Sequence, residues 1–195
     1  VEIHRPDGKN DLLQQIEHGV ISILAGYQSM GRLYRGIIEN NLRQYVHLGD
    51  AATITDGRKY NPALKDTEVT ATESGKLDDR LVFTEENPRR ELEVAGALAT
   101  AARTLKGFND TLSTQSLSTA ITLYDRIAGS NTQQLSANKI GAAVELYLTT
   151  SDSKYKQDIL KYTTAEVLKK SELVGYLGRV LTKINDKKLS AMVVT

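Results

Sequence analysis

The chain has 195 residues, 40% of them hydrophobic and 25% charged, a globular composition that excludes a disordered chain and can fill one large core or two small ones. Its 25 Lys and Arg against 24 Asp and Glu leave a net charge of +1, without the basic surplus that a nucleic-acid binder gathers. No run approaches the roughly 18 apolar residues of a membrane helix, so neither nucleic acid nor a membrane is expected as partner.

With 0 Cys there is no disulfide framework, no thiolate metal site and no cysteine nucleophile, and the redox compartment stays open. The chain starts Val1-Glu2-Ile3 and ends Met192-Val193-Val194-Thr195, and both ends read as cuts, so a fragment is expected.

Residues 10–30 carry Leu12, Leu13, Ile16, Val20, Ile23, Leu24 and Tyr27 on one face of a 3.6-period helix. Asn10 or Asp11 can cap its first turn, and Gly31 offers its end. Over residues 31–87 the periodicity is lost in a glycine- and threonine-containing stretch that reads as a long surface loop system. A short strand over Glu68 to Thr72 and one helical turn over Ile37 to Leu42 fit within it. Helix returns at Asn87-Pro88, with Asn as N-cap and Pro at the first helical position, followed by an alanine-rich run to Leu105 and Gly107. Four amphipathic helices follow, over Ser113 to Ala128, Gln133 to Leu148, Asp152 to Lys169 and Glu172 to Asn185. Their short links favour antiparallel neighbours. The class is all-α, about six helices with one long loop-rich connection, and no 34- or 40-residue repeat marks a solenoid.

Familiar catalytic patterns are missing. Gly26 to Gly31 has the glycine gap of a phosphate loop, but Arg32-Leu33 follows where Lys and Ser or Thr are needed. His4, His18 and His47 form no zinc-spaced pair, and a packed or solvated role outweighs a ligand role for His18. Asn109-Asp110-Thr111 is a glycosylation sequon, a triplet frequent by chance. Asp78-Asp79, Glu85-Glu86 and Glu91 with Glu93 offer acid/base pairs or calcium ligands, but read more simply as solvated charges. Glu85 and Glu86 also precede a helix start, where negative charge is favoured.

Four stretches in order resemble one family. Asp11-Leu12-Leu13 with Gly19, then Tyr45-Val46-His47-Leu48-Gly49-Asp50, then residues 78–99 from Asp78-Asp79-Arg80 through Glu91-Leu92-Glu93-Val94-Ala95, and finally Gly175-Tyr176-Leu177-Gly178-Arg179, are similar to the family-nine glycoside hydrolases, the inverting endoglucanase group. The resemblance implies all-α architecture as part of an (α/α)6 toroid. Helix 10–30, a loop-rich cleft region over 31–87 and helical hairpins over 88–195 would form one segment of the catalytic domain.

The implied reaction is cleavage of β-1,4-glucosidic bonds in plant-type glucans with inversion, by two carboxyl groups about 6.5–9.5 Å apart. The family's Asp-Ala-Gly-Asp base segment and its distant acidic Glu match no residue here, so no catalytic residue is assigned. Substrate contacts are expected from His47, Asp50, Arg58 and Tyr60, although the chain has 0 Trp to stack on sugar. A turn-holding role for Gly49-Asp50 is an equal alternative. The expected partner is a polysaccharide or oligosaccharide, with self-association through exposed helix edges. No cofactor or assigned metal is expected, a calcium ion in the loop stays open, and the intact protein would be secreted or periplasmic. The alternative is a non-catalytic helical binding or scaffold protein with a loop-lined groove.

Overall fold

The computed structural model describes residues 8–38, 45–47, 56–79, 81–84, 86–129, 133–169 and 171–194, with the backbone alone for residues 36–38, 45–47, 81–83, 133 and 171. The described residues are predominantly helical, so the all-α class holds. They fall into two compact units, Val1–Ala25 with Asn87–Thr195, and Gly26–Glu86.

Helix α1 spans Asp11–Met30. Its cap is Asn10, whose Oδ1 accepts the Leu13 amide at 3.2 Å. It stops at Gly31, which takes φ +65° and donates its amide to Tyr27 at 2.7 Å, a left-handed closure that glycine makes without strain.

The second unit is more ordered than a loop system. Strands β1 (Tyr34–Ile38), β2 (Tyr45–His47) and β5 (Leu81–Thr84) form an antiparallel sheet in the order β1-β5-β2. Two-residue strands β3 (Lys59–Tyr60) and β4 (Glu73–Ser74) pair in parallel. The helical turn expected from Ile37 instead meets β1, whose Ile37 pairs with Val82, and its remainder lies outside the described residues. The strand expected over Glu68 to Thr72 reduces to one bridge, Val69 to Ser74. Strands of two to five residues are too short for alternation to stand out in sequence.

The helical unit is built from hairpins. Helix α2 (Pro88–Leu105) has Asn87 as its cap, its side chain accepting from Arg90, with Pro88 at the first position. Helix α3 (Asp110–Ala128) begins three residues earlier than expected because Asn109 caps it, accepting the Leu112 amide at 3.0 Å. Helices α4 (Ser136–Thr150) and α5 (Ser153–Tyr162) follow. Helix α5 ends well before the expected Lys169, because Thr163 turns extended and its hydroxyl donates to the Ile159 carbonyl at 2.7 Å. The single helix expected over 172–185 is two, α6 (Ser171–Gly178) and α7 (Leu181–Ile184). A tight turn, Val180 N–H to Leu177 O at 3.0 Å, separates them. Leu173, Leu177, Val180 and Ile184 stay buried through the break, so the three-and-four spacing hides it. Helix α8 (Lys187–Val194) closes the described chain.

Helices α2 and α3 are antiparallel: Ser113 Oγ donates to Ala102 O at 2.7 Å near one end, and Arg126 pairs with Glu91 at 2.7 Å near the other. Helices α2 and α4 are parallel, since Asn138 reaches Glu93 at 3.2 Å near both amino ends and Arg103 reaches Thr149 at 2.7 Å near both carboxyl ends. Between these contacts a Cβ on Gly96 would lie 3.5 Å from Ala142 Cα. Helix α5 returns against α4, with Lys139 from the start of α4 over the Tyr162 ring, 4.9 Å from its centroid. Helix α6 runs with α4, Arg179 just beyond it meeting Glu145.

Burial follows this layering. Ala142 through Tyr147 of α4 are all buried, as expected of a helix with neighbours on several sides. Helix α3 instead buries one stripe, Ser116, Thr119, Ala120, Leu123, Tyr124 and Ile127. Each fully buried leucine or isoleucine among Leu92, Leu98, Leu123 and Ile140 adds about 1.5–3 kcal/mol of apolar burial.

Candidate functional site

The described helical unit carries a cleft of ≈ 280 Å³ between α2, α4 and α6. Small residues line it, Gly96, Ala97 and Gly141 among them, and no described atom beyond the backbone of its own helix lies within 4 Å of a Cβ built on Gly141. Its rim carries Glu93, Asn138, Glu172 and Tyr176, the last 41% exposed.

Glu145 lies deep in this cleft, 5% exposed in the middle of α4. Thr100 Oγ1 of α2 donates to Oε2 at 2.9 Å, and Arg103 Nη2 donates to the same oxygen at 2.9 Å. Arg179 donates to Oε1 through one nitrogen and to Oε2 through the other at 3.3 Å. Burial pushes this carboxyl upward, but the donors Arg179, Arg103 and Thr100 outweigh it and hold the group below the ordinary carboxylate range. A general acid requires a carboxyl kept protonated, so Glu145 suits a fixed negative charge and not proton donation.

Charges around the cleft cancel. Glu93 is paired with Arg89 at 2.9 Å, Glu145 faces Arg103 and Arg179, and Glu172 adds one carboxylate. Small lining residues, polar rim and exposed phenol ring suit a neutral ligand with both apolar faces and hydroxyls.

The residues expected from sequence lie in the other unit. His47 is in β2, its backbone opposite Leu81, and Asp50 lies outside the described residues. Arg58 and Tyr60 come together at β3. The Arg58 amide donates to Asp56 Oδ1 at 2.8 Å and its Nε to Thr70 O at 3.1 Å, while the Tyr60 amide donates to Asp79 Oδ2 at 2.6 Å. Asp56 is held below the ordinary carboxylate range by hydrogen bonds from the Ser74 side chain and the Arg58 amide.

Reading the acidic doublets as solvated charges needs correction at three positions, Asp79, Glu91 and Asp78, whose side chain is only 13% exposed. Asp79 is 4% exposed and holds the β3 backbone, and Glu91 is 6% exposed and ion-paired with Arg126. Asp78 faces Lys76 at 3.2 Å, whereas Glu86 is exposed and reaches Arg32 at 3.6 Å. Glu85 lies outside the described residues. His18 is exposed on α1. Among the described residues no group of three or more His, Asp or Glu is placed to hold a metal ion, and no helix is long and apolar enough to cross a membrane.

The chain matches no protein-family model, no curated protein and no solved structure with which it was compared.

Sequence reasoning named Glu93 and Tyr176 within longer stretches but assigned no binding role to any cleft residue. Glu145 had a signal: it is the only charged residue in the otherwise apolar run Ile140 to Leu148 of a helix. Arg103, Arg179 and Tyr176 carry no comparable mark, since each sits where a solvated helix face would also place it.

Proposed function

We propose that this chain is an arc of an (α/α)6 glycoside hydrolase domain of the inverting family-nine type, supplying saccharide-binding surface without the catalytic acids. One observation carries the reading. Helices α2, α4 and α6 run parallel, each against the next, while α3 and α5 return beside them. Every second helix side by side is the arrangement by which hairpins fill the inner and outer rings of a toroid. An up-and-down four-helix bundle would set such helices diagonally across a shared core. The charge-balanced cleft with Tyr176 on its rim also supports a neutral saccharide as ligand.

The test pairs binding with turnover. Soluble β-1,4-glucan oligosaccharides are titrated into labelled protein while amide shifts are followed, and carboxymethyl cellulose is incubated with the same protein and assayed for reducing ends. Saturable shifts without reducing-end release are expected. Reducing ends above a blank would overturn the assignment of the acids to other sequence. No binding at millimolar oligosaccharide would overturn the saccharide reading and favour the scaffold alternative.

A further inference from the structure

Helix α6 forms one wall of the cleft through Glu172, Leu173 and Tyr176, and it is attached less firmly than its neighbours. Its side chains bury only Leu173 and Leu177 among the described residues, whereas α4 buries nine residues of fifteen. Val174 and Tyr176 are 40% and 41% exposed.

It also contains two glycines in eight residues. Glycine inside a helix costs about 0.5–1 kcal/mol relative to alanine. At Gly96 that cost has a visible return, since the neighbouring helix is in contact distance, and at Gly75 a Cβ would lie 1.9 Å from Lys65 O. At Gly175 and Gly178 nothing lies within 4 Å of an added Cβ, and neither has positive φ. Gly19 of α1 and Gly141 of α4 are open in the same way, but each is a lone open glycine in a helix of fifteen or more residues, whereas α6 carries two in eight. Packing therefore does not require them, and they loosen the helix.

The segment after α6 is fixed by contrast. Ile184 of α7 is buried, Lys183 lies over the Tyr147 ring at 5.0 Å, and the Tyr147 hydroxyl donates to Lys183 O at 3.4 Å. Between this anchored helix and the loose one stands Arg179, on Glu145.

We infer that α6 is a latched wall of the cleft, opening as a unit together with Arg179 about the turn at Val180 and held shut by the grip of Arg179 on Glu145. Opening removes Tyr176 and Glu172 from the rim and admits a ligand larger than the closed cleft holds. Elements with few buried contacts open locally at lower free energy than the core, which gives this motion its own signature in hydrogen exchange. The inference stands whatever the ligand is.

The test is amide hydrogen exchange on the full chain, comparing the parent with Arg179→Ala and with the double variant Gly175→Ala/Gly178→Ala. Removing the latch is expected to speed exchange over 172–180 by roughly tenfold or more, with α2 and α3 unchanged. The alanine pair is expected to slow exchange over the same residues by roughly fivefold or more and nowhere else. The inference is overturned if 172–180 changes in step with α2 and α4, or does not change, in either variant that keeps the unit folded. Should Arg179→Ala unfold the whole unit, the alanine pair decides alone: slowing confined to α6 supports the latch, and uniform or absent slowing refutes it.

Discussion

Replacing Glu145 by alanine removes the acceptor that joins α2, α4 and the end of α6. Arg103 Nη2 and both terminal nitrogens of Arg179 lose this acceptor, while Thr100 Oγ1 can turn to the Gly96 carbonyl at 3.1 Å. Removing one side of a buried ion pair costs about 3–5 kcal/mol. Here the Glu145 side chain is 7% exposed, but the side chains of Arg103 and Arg179 are 32% and 47% exposed, so water recovers part of each cation. Arg103 also keeps Thr149 Oγ1 at 2.7 Å. The expected loss for Glu145→Ala is therefore about 2–3 kcal/mol, and for Glu145→Gln, which retains a neutral acceptor, about 1–2 kcal/mol. Urea unfolding followed by helical circular dichroism measures both. A loss for the alanine variant below about 0.5 kcal/mol, the range of an ordinary surface change, would refute the cluster as a structural junction.

Three further outcomes follow from the same geometry. Because Glu145 titrates lower folded than unfolded, its contribution is complete above the ordinary value of 4.5 and disappears as pH falls through the lower folded value; acid unfolding of Glu145→Gln should lack that component, and a matching pH profile would contradict it. Asn109→Ala loses both the α3 cap and the 2.6 Å bond to Glu17 of α1, an expected cost of about 1–2 kcal/mol, while Asn109→Ser should recover the cap portion in thermal melts. Gly75→Ala drives a Cβ against the Lys65 carbonyl, so amide spectra should change across residues 56–79 and leave α2 to α5 unaltered.

The helices were legible where chemistry at their ends was legible. Asn87-Pro88 and Asn10 with Gly31 mark boundaries that a side-chain oxygen, a missing amide and a positive φ enforce locally. The breaks after Tyr162 and Gly178 were not, because α5 ends where the Thr163 backbone turns extended, which its residue type does not announce, and the turn at Val180 preserves apolar spacing. The strands of residues 34–84 depend on partners distant in sequence, such as Val46 on Val82, which no local pattern encodes. The cleft was hidden for the same reason: Glu145 stands out in its apolar run, but Thr100 and Arg179 are ordinary residues on separate segments until the parallel packing brings them to it.

The contact of Gly96 with Ala142 has a geometric result beyond holding two helices together. Alanine and glycine at the α2–α4 boundary let those axes approach, while Tyr124 and Tyr155, edge to face with centroids 5.4 Å apart, fill the space between α3 and α5. Gly96 also lines the cleft, so the small residues along the α2–α4 seam leave that space open, and a bulky residue at position 96 is expected to fill part of it.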